Sequence, residues 1–172
     1  LASCLFNNAG SAERVAVLRN TYGGGADIGG SGVDLRRRLP PEIESVTADY
    51  SLYPELGDRA LGFLTRGCPR HCPFCVVPAK EGPPHQVSDL DTLLQGRRKL
   101  ILLDDNLLAH PAALSMLEEM ARRDLAVNFN QTLDLRFLTP EAARLLRRIR
   151  CSNVRFTRPC HHFSLNDTRG LD

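Results

Sequence analysis

Short apolar runs alternate with longer amphipathic segments through the second half of the chain. Four of the apolar runs have the length of β-strands: residues 60–65, 99–103, 126–130 and 153–156. The segments between them carry helical patterns over residues 88–94, 112–123 and 139–149. Strands of about five residues that alternate with helices of about ten predict right-handed βαβ units, and therefore a parallel sheet in an α/β fold.

The first part of the chain has no comparable period. Ser11 predicts the start of a helix over residues 12–19. The stretch Tyr22–Gly32 contains six glycines but no Gly-Lys-Ser/Thr, so turns and linker are the preferred interpretation over a phosphate loop. We therefore expect three parts: an N-terminal remnant and linker over 1–57, an α/β unit over 58–158 and an irregular tail over 159–172.

Charge and composition limit the expected binding partners and the expected cellular location. The formal charge of +2, from 22 basic and 20 acidic residues, does not indicate nucleic acid as a partner. No apolar run approaches the roughly 18 residues of a membrane-spanning helix, so no membrane partner is expected. Six cysteines would suit three disulfides, but three of them crowd into residues 68–75. That crowding favours a reducing, cytoplasmic location.

Polar clusters follow the first three predicted strands. They are the cysteine loop after residue 65, Asp104-Asp105-Asn106, and Asn130-Gln131. In parallel sheets the functional loops lie beyond the carboxyl ends of the strands. The sequence therefore predicts that these three clusters meet on one side of the sheet.

The cysteine loop carries the strongest chemical signal. Cys68, Cys72 and Cys75 have the spacing C-x3-C-x2-C, and three thiolates this close can face one metal ion or cluster. A four-iron cluster usually takes four cysteines, so one iron would lack a local ligand. Cys4, Cys151 or Cys160 remains an alternative fourth ligand, and zinc remains an alternative metal. His71, between the ligands, is expected to face solvent.

The motif and its context resemble the radical S-adenosylmethionine (radical SAM) superfamily. The resemblance covers about residues 58–158 and rests on the cysteine spacing, on Phe74 before the last cysteine, and on the βα repeats that follow. Further segments resemble a poorly characterised branch related to cobalamin-domain-linked enzymes: 39–42, 49–54, 68–82, 103–106 and 130–136. No D-x-H-x-x-G motif is present, so cobalamin is not an expected cofactor.

The resemblance implies two cofactors and a set of site residues. Cys68, Cys72 and Cys75 would hold a 4Fe–4S cluster, and SAM would chelate the remaining iron and be cleaved reductively to methionine and a 5′-deoxyadenosyl radical. Phe74 would help to place the adenine. The polar residues assigned to SAM or substrate are Asp104, Asp105, Asn106, Asn130, Gln131, Asp134 and Arg136. No catalytic residue and no substrate is assigned, and the expected protein partner is an electron donor such as flavodoxin or ferredoxin.

The same resemblance implies a (β/α) barrel, of which this chain would be a part. The superfamily core has six βα units, whereas four strands are predicted here, so we expect a partial barrel and a truncated chain. A second enzymatic interpretation is a methylthiotransferase acting on tRNA or a ribosomal protein, because Cys75-Val76-Val77-Pro78 and Gly82 resemble that group as well. A third is a non-catalytic iron–sulfur or zinc module, or an inactive fragment.

Overall fold

The computed structural model describes residues 2–4 and 7–165 of the chain. The chain divides into two compact units, Leu1–Val46 and Thr47–Asp172. Part of one sequence prediction, the irregular tail over 159–172, lies outside the described residues. Among the helices of the described part, none is long and apolar enough to cross a membrane.

The structure contains short strands and helices of unequal length. The α-helices are α1 (Ala9–Tyr22), α2 (Pro41–Glu44), α3 (Val77–Lys80), α4 (Leu90–Leu94), α5 (Ala113–Arg122) and α6 (Pro140–Arg148). The strands are β1 (Ala2–Ser3), β2 (Ile28–Gly29), β3 (Arg59–Gly62), β4 (Thr65–Arg66), β5 (His85–Gln86), β6 (Lys99–Leu102), β7 (Ala126–Phe129), β8 (Leu133–Asp134), β9 (Arg150–Cys151) and β10 (Phe163–Ser164).

The first unit is a small β–α–β arrangement in which β1 pairs with β2 in parallel and α1 connects them. Helix α1 begins three residues before the predicted start, because Asn8 caps it by accepting a hydrogen bond from the Ser11 N–H. Gly30 adopts a φ of +97°, and a Cβ there would lie 2.3 Å from the Cys4 carbonyl oxygen. The glycine therefore permits a close backbone approach that a side chain would block.

The second unit is built on a four-stranded parallel sheet with the order β3-β6-β7-β9. The order in space follows the order along the chain, as repeated right-handed βα units produce. The strands pair so that Gly62, Leu102 and Phe129 lie side by side at the carboxyl ends of β3, β6 and β7. The three predicted polar loops therefore all leave the sheet at the same edge.

One face of this sheet and the helices form the hydrophobic core. Ala60, Leu100 and Val127 occupy neighbouring positions on the three strands and are fully buried. Leu117 and Met120 of α5 belong to the same core cluster. Burying an aliphatic side chain of this size contributes about 1.5–3 kcal/mol, so this face is the main stabilising element of the unit. The mixed α/β class with a parallel sheet agrees with the prediction.

The fourth strand differs from the prediction. It lies at Arg150–Cys151 rather than at residues 153–156, because α6 ends at Arg148 and the chain enters the sheet at once. Asn153 instead closes a turn, in which its side-chain oxygen accepts a hydrogen bond from the Thr157 N–H. Asparagine favours such turns, and this tendency outweighs the apolar residues Val154 and Phe156.

The two outer strands of the sheet are covered by the chain itself. On β3, the Leu61 N–H donates to the Tyr50 hydroxyl, which lies in hydrogen-bonding contact with the Leu61 carbonyl. On the β9 side, the Cys160 N–H donates to the Cys151 carbonyl, and Ser152 forms an antiparallel bridge with Pro159. These contacts satisfy backbone groups that an open sheet edge would leave unpaired.

Candidate functional site

A cavity of about 130 Å³ lies where the three polar loops leave the sheet. All three cysteines of the motif line it, together with residues from the loops after β6 and β7. Its lining comprises Cys68, Arg70, Cys72, Phe74, Cys75, Val77, Asp105, Asn106, Gln131, Thr132, Asp134, Arg136 and Ser164. The structure thus brings together nine of the eleven residues assigned from the sequence; Asp104 and Asn130 are not in this lining.

The cysteine loop is fastened at its start by two hydrogen bonds. The Gly67 N–H donates to Asp105 Oδ2 at 2.9 Å, and the Cys68 N–H donates to the Gly82 carbonyl at 3.0 Å. Within the loop, the Cys75 N–H donates to the Cys72 carbonyl at 3.0 Å, which closes a turn between the second and third cysteines. The loop is therefore held by the residues beside β6 and by the segment that follows it in sequence.

Gly67 makes this anchoring sterically feasible. Its φ is +88°, and a Cβ at this position would lie 2.3 Å from the Pro83 carbonyl oxygen. Gly82 offers a matched comparison, because its φ is +75° but no atom lies within 4 Å of the place that a Cβ would occupy. A side chain at Gly82 would therefore introduce backbone strain alone, whereas a side chain at Gly67 would introduce strain and a steric collision.

We expect Gly67→Ala to destabilise the unit by about 1–3 kcal/mol more than Gly82→Ala, because only the first combines strain with a collision. Urea unfolding of both variants measures the difference in the free energy of unfolding. Gly24→Ala, where φ is not positive and no atom lies within 4 Å of the added Cβ, is the control and should be nearly neutral. Equal costs at Gly67 and Gly82 would contradict the close packing of the loop against Pro83.

Asn106 is the most buried polar residue of the cavity lining, with 3% of its surface exposed. Its Nδ2 donates to the sulfur of Cys68 at 3.3 Å. Its Oδ1 is buried and has no hydrogen-bond partner among the described residues. A buried amide oxygen without a partner costs about 1–3 kcal/mol, so this atom is ready to accept a hydrogen bond from a group that enters the cavity.

The carboxylates of Asp104 and Asp105 both accept hydrogen bonds from backbone N–H groups, and only Asp105 lines the cavity. Asp104 is 4% exposed, and its two oxygens accept hydrogen bonds from the N–H groups of Leu64 and Thr65 and from the Thr65 hydroxyl. Burial raises the pKa of Asp104 to about 6 despite these hydrogen bonds. Burial also raises the pKa of Asp105, and the nearby carboxylate of Glu81 adds to that shift.

The loop after β7 contributes a buried ion pair. Arg136 Nε and Nη2 each lie 3.0 Å from an oxygen of Asp134, and the two side chains are 5% and 9% exposed. Arg136, assigned from the sequence to SAM or substrate, thus pairs with a carboxylate of the chain itself. Gln131 and Asn130 are both exposed, but only Gln131 lines the cavity, and Asn130 contacts β6 through its backbone N–H. Phe74 lies at the rim with 74% of its surface exposed.

The thiols of the motif share the cavity without forming a closed ligand set. In the described part of the chain, no three histidine, cysteine, aspartate or glutamate side chains are close enough together to hold a metal ion. All six cysteines lie within the described residues, and none forms a disulfide. Cys151 is buried, and its burial raises the pKa of its thiol to about 12. His71 is exposed, as predicted.

Some lining residues have no signal in the sequence. Ser164 reaches the cavity because β10 pairs with β8 in parallel, which no hydrophobic pattern indicates over a two-residue strand. Thr132 occupies a left-handed conformation with a φ of +76°, which is rare for a β-branched residue. Arg70 is different, because its position between two cysteines of the motif is a signal that could have identified it as a lining residue.

Comparison with known proteins gives a partial match in sequence. No family model matches the chain. Over 100 residues it is 32% identical to the bacteriochlorophyllide d C-12(1)-methyltransferase of Chlorobaculum tepidum. The matched region is 51% of this chain and 22% of that protein, so the chain spans about a fifth of the length of this relative.

Two solved structures of TsrM, a radical S-adenosylmethionine methyltransferase from Kitasatospora setae, are also similar. One holds tryptophan substrate and the SAM analog aza-SAM; it matches with a TM-score of 0.47 and 23% identity, over 70% of this chain and 26% of TsrM. The other holds cobalamin and a [4Fe-4S] cluster; it matches with a TM-score of 0.48 and 22% identity, over 69% of this chain and 24% of TsrM.

Proposed function

We propose that this chain carries the cluster- and SAM-binding part of a radical SAM enzyme. The observation that carries the proposal is the shared cavity: three cysteines with C-x3-C-x2-C spacing line it beside a buried Asn106 amide oxygen that has no partner among the described residues. The sequence similarity to a methyltransferase supports an enzyme rather than a purely structural metal module. The chain spans about a fifth of that relative, so the activity of the whole protein is part of the proposal.

The donor set fits an iron–sulfur cluster by its chemistry. Cys68, Cys72 and Cys75 line one cavity but do not form a closed ligand set among the described residues, so the three thiols would need to move closer together to hold one cluster. Three thiolates leave one iron of a four-iron cluster without a protein ligand. Bound together, a 4Fe–4S cluster and SAM would supply reductive cleavage of the sulfonium, a chemistry that the protein's own side chains lack.

The remaining residues would bind and orient SAM. The Oδ1 atom of Asn106 would accept a hydrogen bond from the amino group of SAM, because this oxygen is buried and has no partner among the described residues. Asp105 and Gln131 line the same cavity and offer acceptors and donors for a ribose. Phe74, exposed at the rim, would stack on the adenine and exclude water.

The Asp134–Arg136 pair would act mainly as a wall of the cavity. Both side chains are almost fully buried and satisfy each other, so neither is needed to neutralise a bound group. Asp104 would likewise act without contacting SAM, because its carboxylate accepts hydrogen bonds from the backbone N–H groups of Leu64 and Thr65, just before the cysteine loop. Asn130 would contribute its backbone to the position of the loop rather than a side-chain contact, because it does not line the cavity.

Anaerobic reconstitution with iron and sulfide tests the proposal. We expect about four irons per chain, and formation of 5′-deoxyadenosine from SAM when a low-potential reductant or flavodoxin is added. A chain that takes up zinc but no iron would overturn the proposal. A cluster without any SAM cleavage would instead support the non-catalytic iron–sulfur module.

Methyl transfer is a second candidate for the reaction of the whole protein, because the sequence relative is a methyltransferase. It would convert SAM to S-adenosylhomocysteine, whereas reductive cleavage gives methionine and 5′-deoxyadenosine. Chromatography of SAM products from one reaction mixture separates the two outcomes. No contact among the described residues favours a methylthiotransferase. This activity and its tRNA or protein substrate stay a prediction from the sequence.

A further inference from the structure

A second pair of chemically reactive side chains lies outside the motif. The sulfur of Cys160 and Nε2 of His162 are 3.1 Å apart, and no role for either follows from the proposed function. Cys160 is partly exposed and His162 is exposed, so both are accessible to a molecule from solution. A thiol beside an imidazole is the arrangement in which a neighbouring base activates a sulfur nucleophile.

The segment that carries this pair is held from two sides. The Cys160 N–H donates to the Cys151 carbonyl at 3.2 Å, and the His162 carbonyl accepts from the Leu133 N–H at 2.9 Å. Side chains alternate along it: His161 and Phe163 stack with their ring planes 3° apart, while Cys160 and His162 contact each other. The backbone of both residues is therefore held by hydrogen bonds to neighbouring elements, and their side chains lie on the same side of the segment.

The same alternation places the pair on the side of its segment that also carries Ser164. In an extended segment, residues two apart face the same side, so Cys160, His162 and Ser164 share a side. Ser164 lines the cavity. Neither Cys160 nor His162 lines it, and four residues of extended chain, at roughly 3.3 Å each, place the Cys160 backbone about 13 Å from Ser164.

We propose that Cys160 and His162 form a nucleophilic thiol site, separate from the cavity of the cysteine loop, that takes soft carbon electrophiles. The thiol S–H bond breaks as its proton passes to Nε2 of His162, with the other ring proton on Nδ1. A sulfur–carbon bond forms while the bond from that carbon to its leaving group breaks, and the leaving group departs with the electron pair. No oxidant or reductant is needed.

Iodoacetamide is the probe for this site, and iodide is then the leaving group. Labelling of each cysteine is followed by site-resolved mass spectrometry in the wild type and in His162→Gln, which retains a hydrogen-bonding group but not a base. We expect the rate at Cys160 to fall about tenfold, less than the ~10²-fold or greater contribution of an enclosed general base, because His162 is exposed. His162→Asn, which is too short to reach the sulfur, should give the same loss.

His161→Gln is the matched control, because His161 is the adjacent ring and stacks on Phe163 instead of contacting the thiol. Its labelling rate at Cys160 should equal that of the wild type. Cys151 should stay unlabelled in every folded variant, since it is buried, and so reports any unfolding. Equal rates at Cys160 in the wild type and both His162 variants, or an equal loss in His161→Gln, would overturn the proposal. The outcome is independent of cluster binding.

Discussion

Replacing any one of Cys68, Cys72 or Cys75 by serine is expected to reduce the iron bound after reconstitution from about four atoms per chain to nearly none. A serine hydroxyl is a poor ligand for cluster iron, and the described cavity lining offers no other cysteine to replace the lost thiolate. The measurement is iron content together with the visible absorption of the cluster, in protein handled without oxygen.

The matched control is Cys160→Ser, a partly exposed cysteine that does not line the cavity, and it should keep full iron content. All four variants should retain the free energy of unfolding of the wild type within about 1 kcal/mol, because the replaced side chains are not part of the buried core. A loss of iron in Cys160→Ser equal to that in the motif variants would indicate that Cys160 is a fourth ligand. Unfolding of the motif variants alone would indicate a structural metal site instead.

The regular part of the fold is predictable because its elements are periodic. The sequence predicts helix α5 over 112–123 and the helix lies at Ala113–Arg122, since an apolar residue recurs at each turn between Leu114 and Met120. Helix α6 begins where Thr139 predicts, and the Thr139 side chain caps the Ala142 N–H. Strands of two residues, such as β8 and β10, are too short to give any pattern, and they are the elements that bring Ser164 to the cavity.

The sequence also predicts most of the residues that form the candidate site, but not what each side chain contacts. Asp104, Asp105 and Asn106 are consecutive, and their side chains leave the backbone in different directions. Asp104 holds the backbone at Leu64 and does not line the cavity, Asp105 holds Gly67 at the cavity lining, and Asn106 lines the cavity with an amide oxygen that has no partner among the described residues. Sequence position identifies the cluster as polar residues at a strand end, but which side chain turns inward is decided by packing between loops that are far apart in sequence.

Asp104→Ala is expected to lower the free energy of unfolding by about 3–5 kcal/mol, the cost of removing a buried charged acceptor and leaving its donors unsatisfied. The donors are the N–H groups of Leu64 and Thr65 and the hydroxyl of Thr65, at 2.6–2.8 Å from the carboxylate. Asp124→Asn, at an exposed carboxylate, is the control and should change the free energy of unfolding by less than about 0.5 kcal/mol. Urea unfolding at pH 7 measures both.

The pH dependence of the free energy of unfolding gives a second measure of the Asp104 carboxyl group. Its pKa is about 6 in the folded chain and 3.8 as the ordinary value, so between these values the folded state binds more protons than the unfolded state. The stabilisation that comes from protonating Asp104 in the folded state is therefore fully present below about pH 4 and is lost as the pH rises through about 6, by up to about 3 kcal/mol. The hydrogen bonds that Asp104→Ala removes are a separate contribution and remain at pH 7. Asp105 adds a slope in the same direction, because its pKa is also raised.

Asp104→Asn separates these effects, since asparagine keeps one acceptor oxygen and does not titrate. The variant should be less stable than the wild type at pH 7, because its amide N–H₂ faces a backbone donor, and its stability should fall less steeply between pH 4 and 6. A slope equal to that of the wild type would show that Asp104 does not carry the buried proton. Because the Leu64–Thr65 backbone lies just before Gly67 and Cys68, loss of the Asp104 contacts should also displace the start of the cysteine loop and reduce iron uptake.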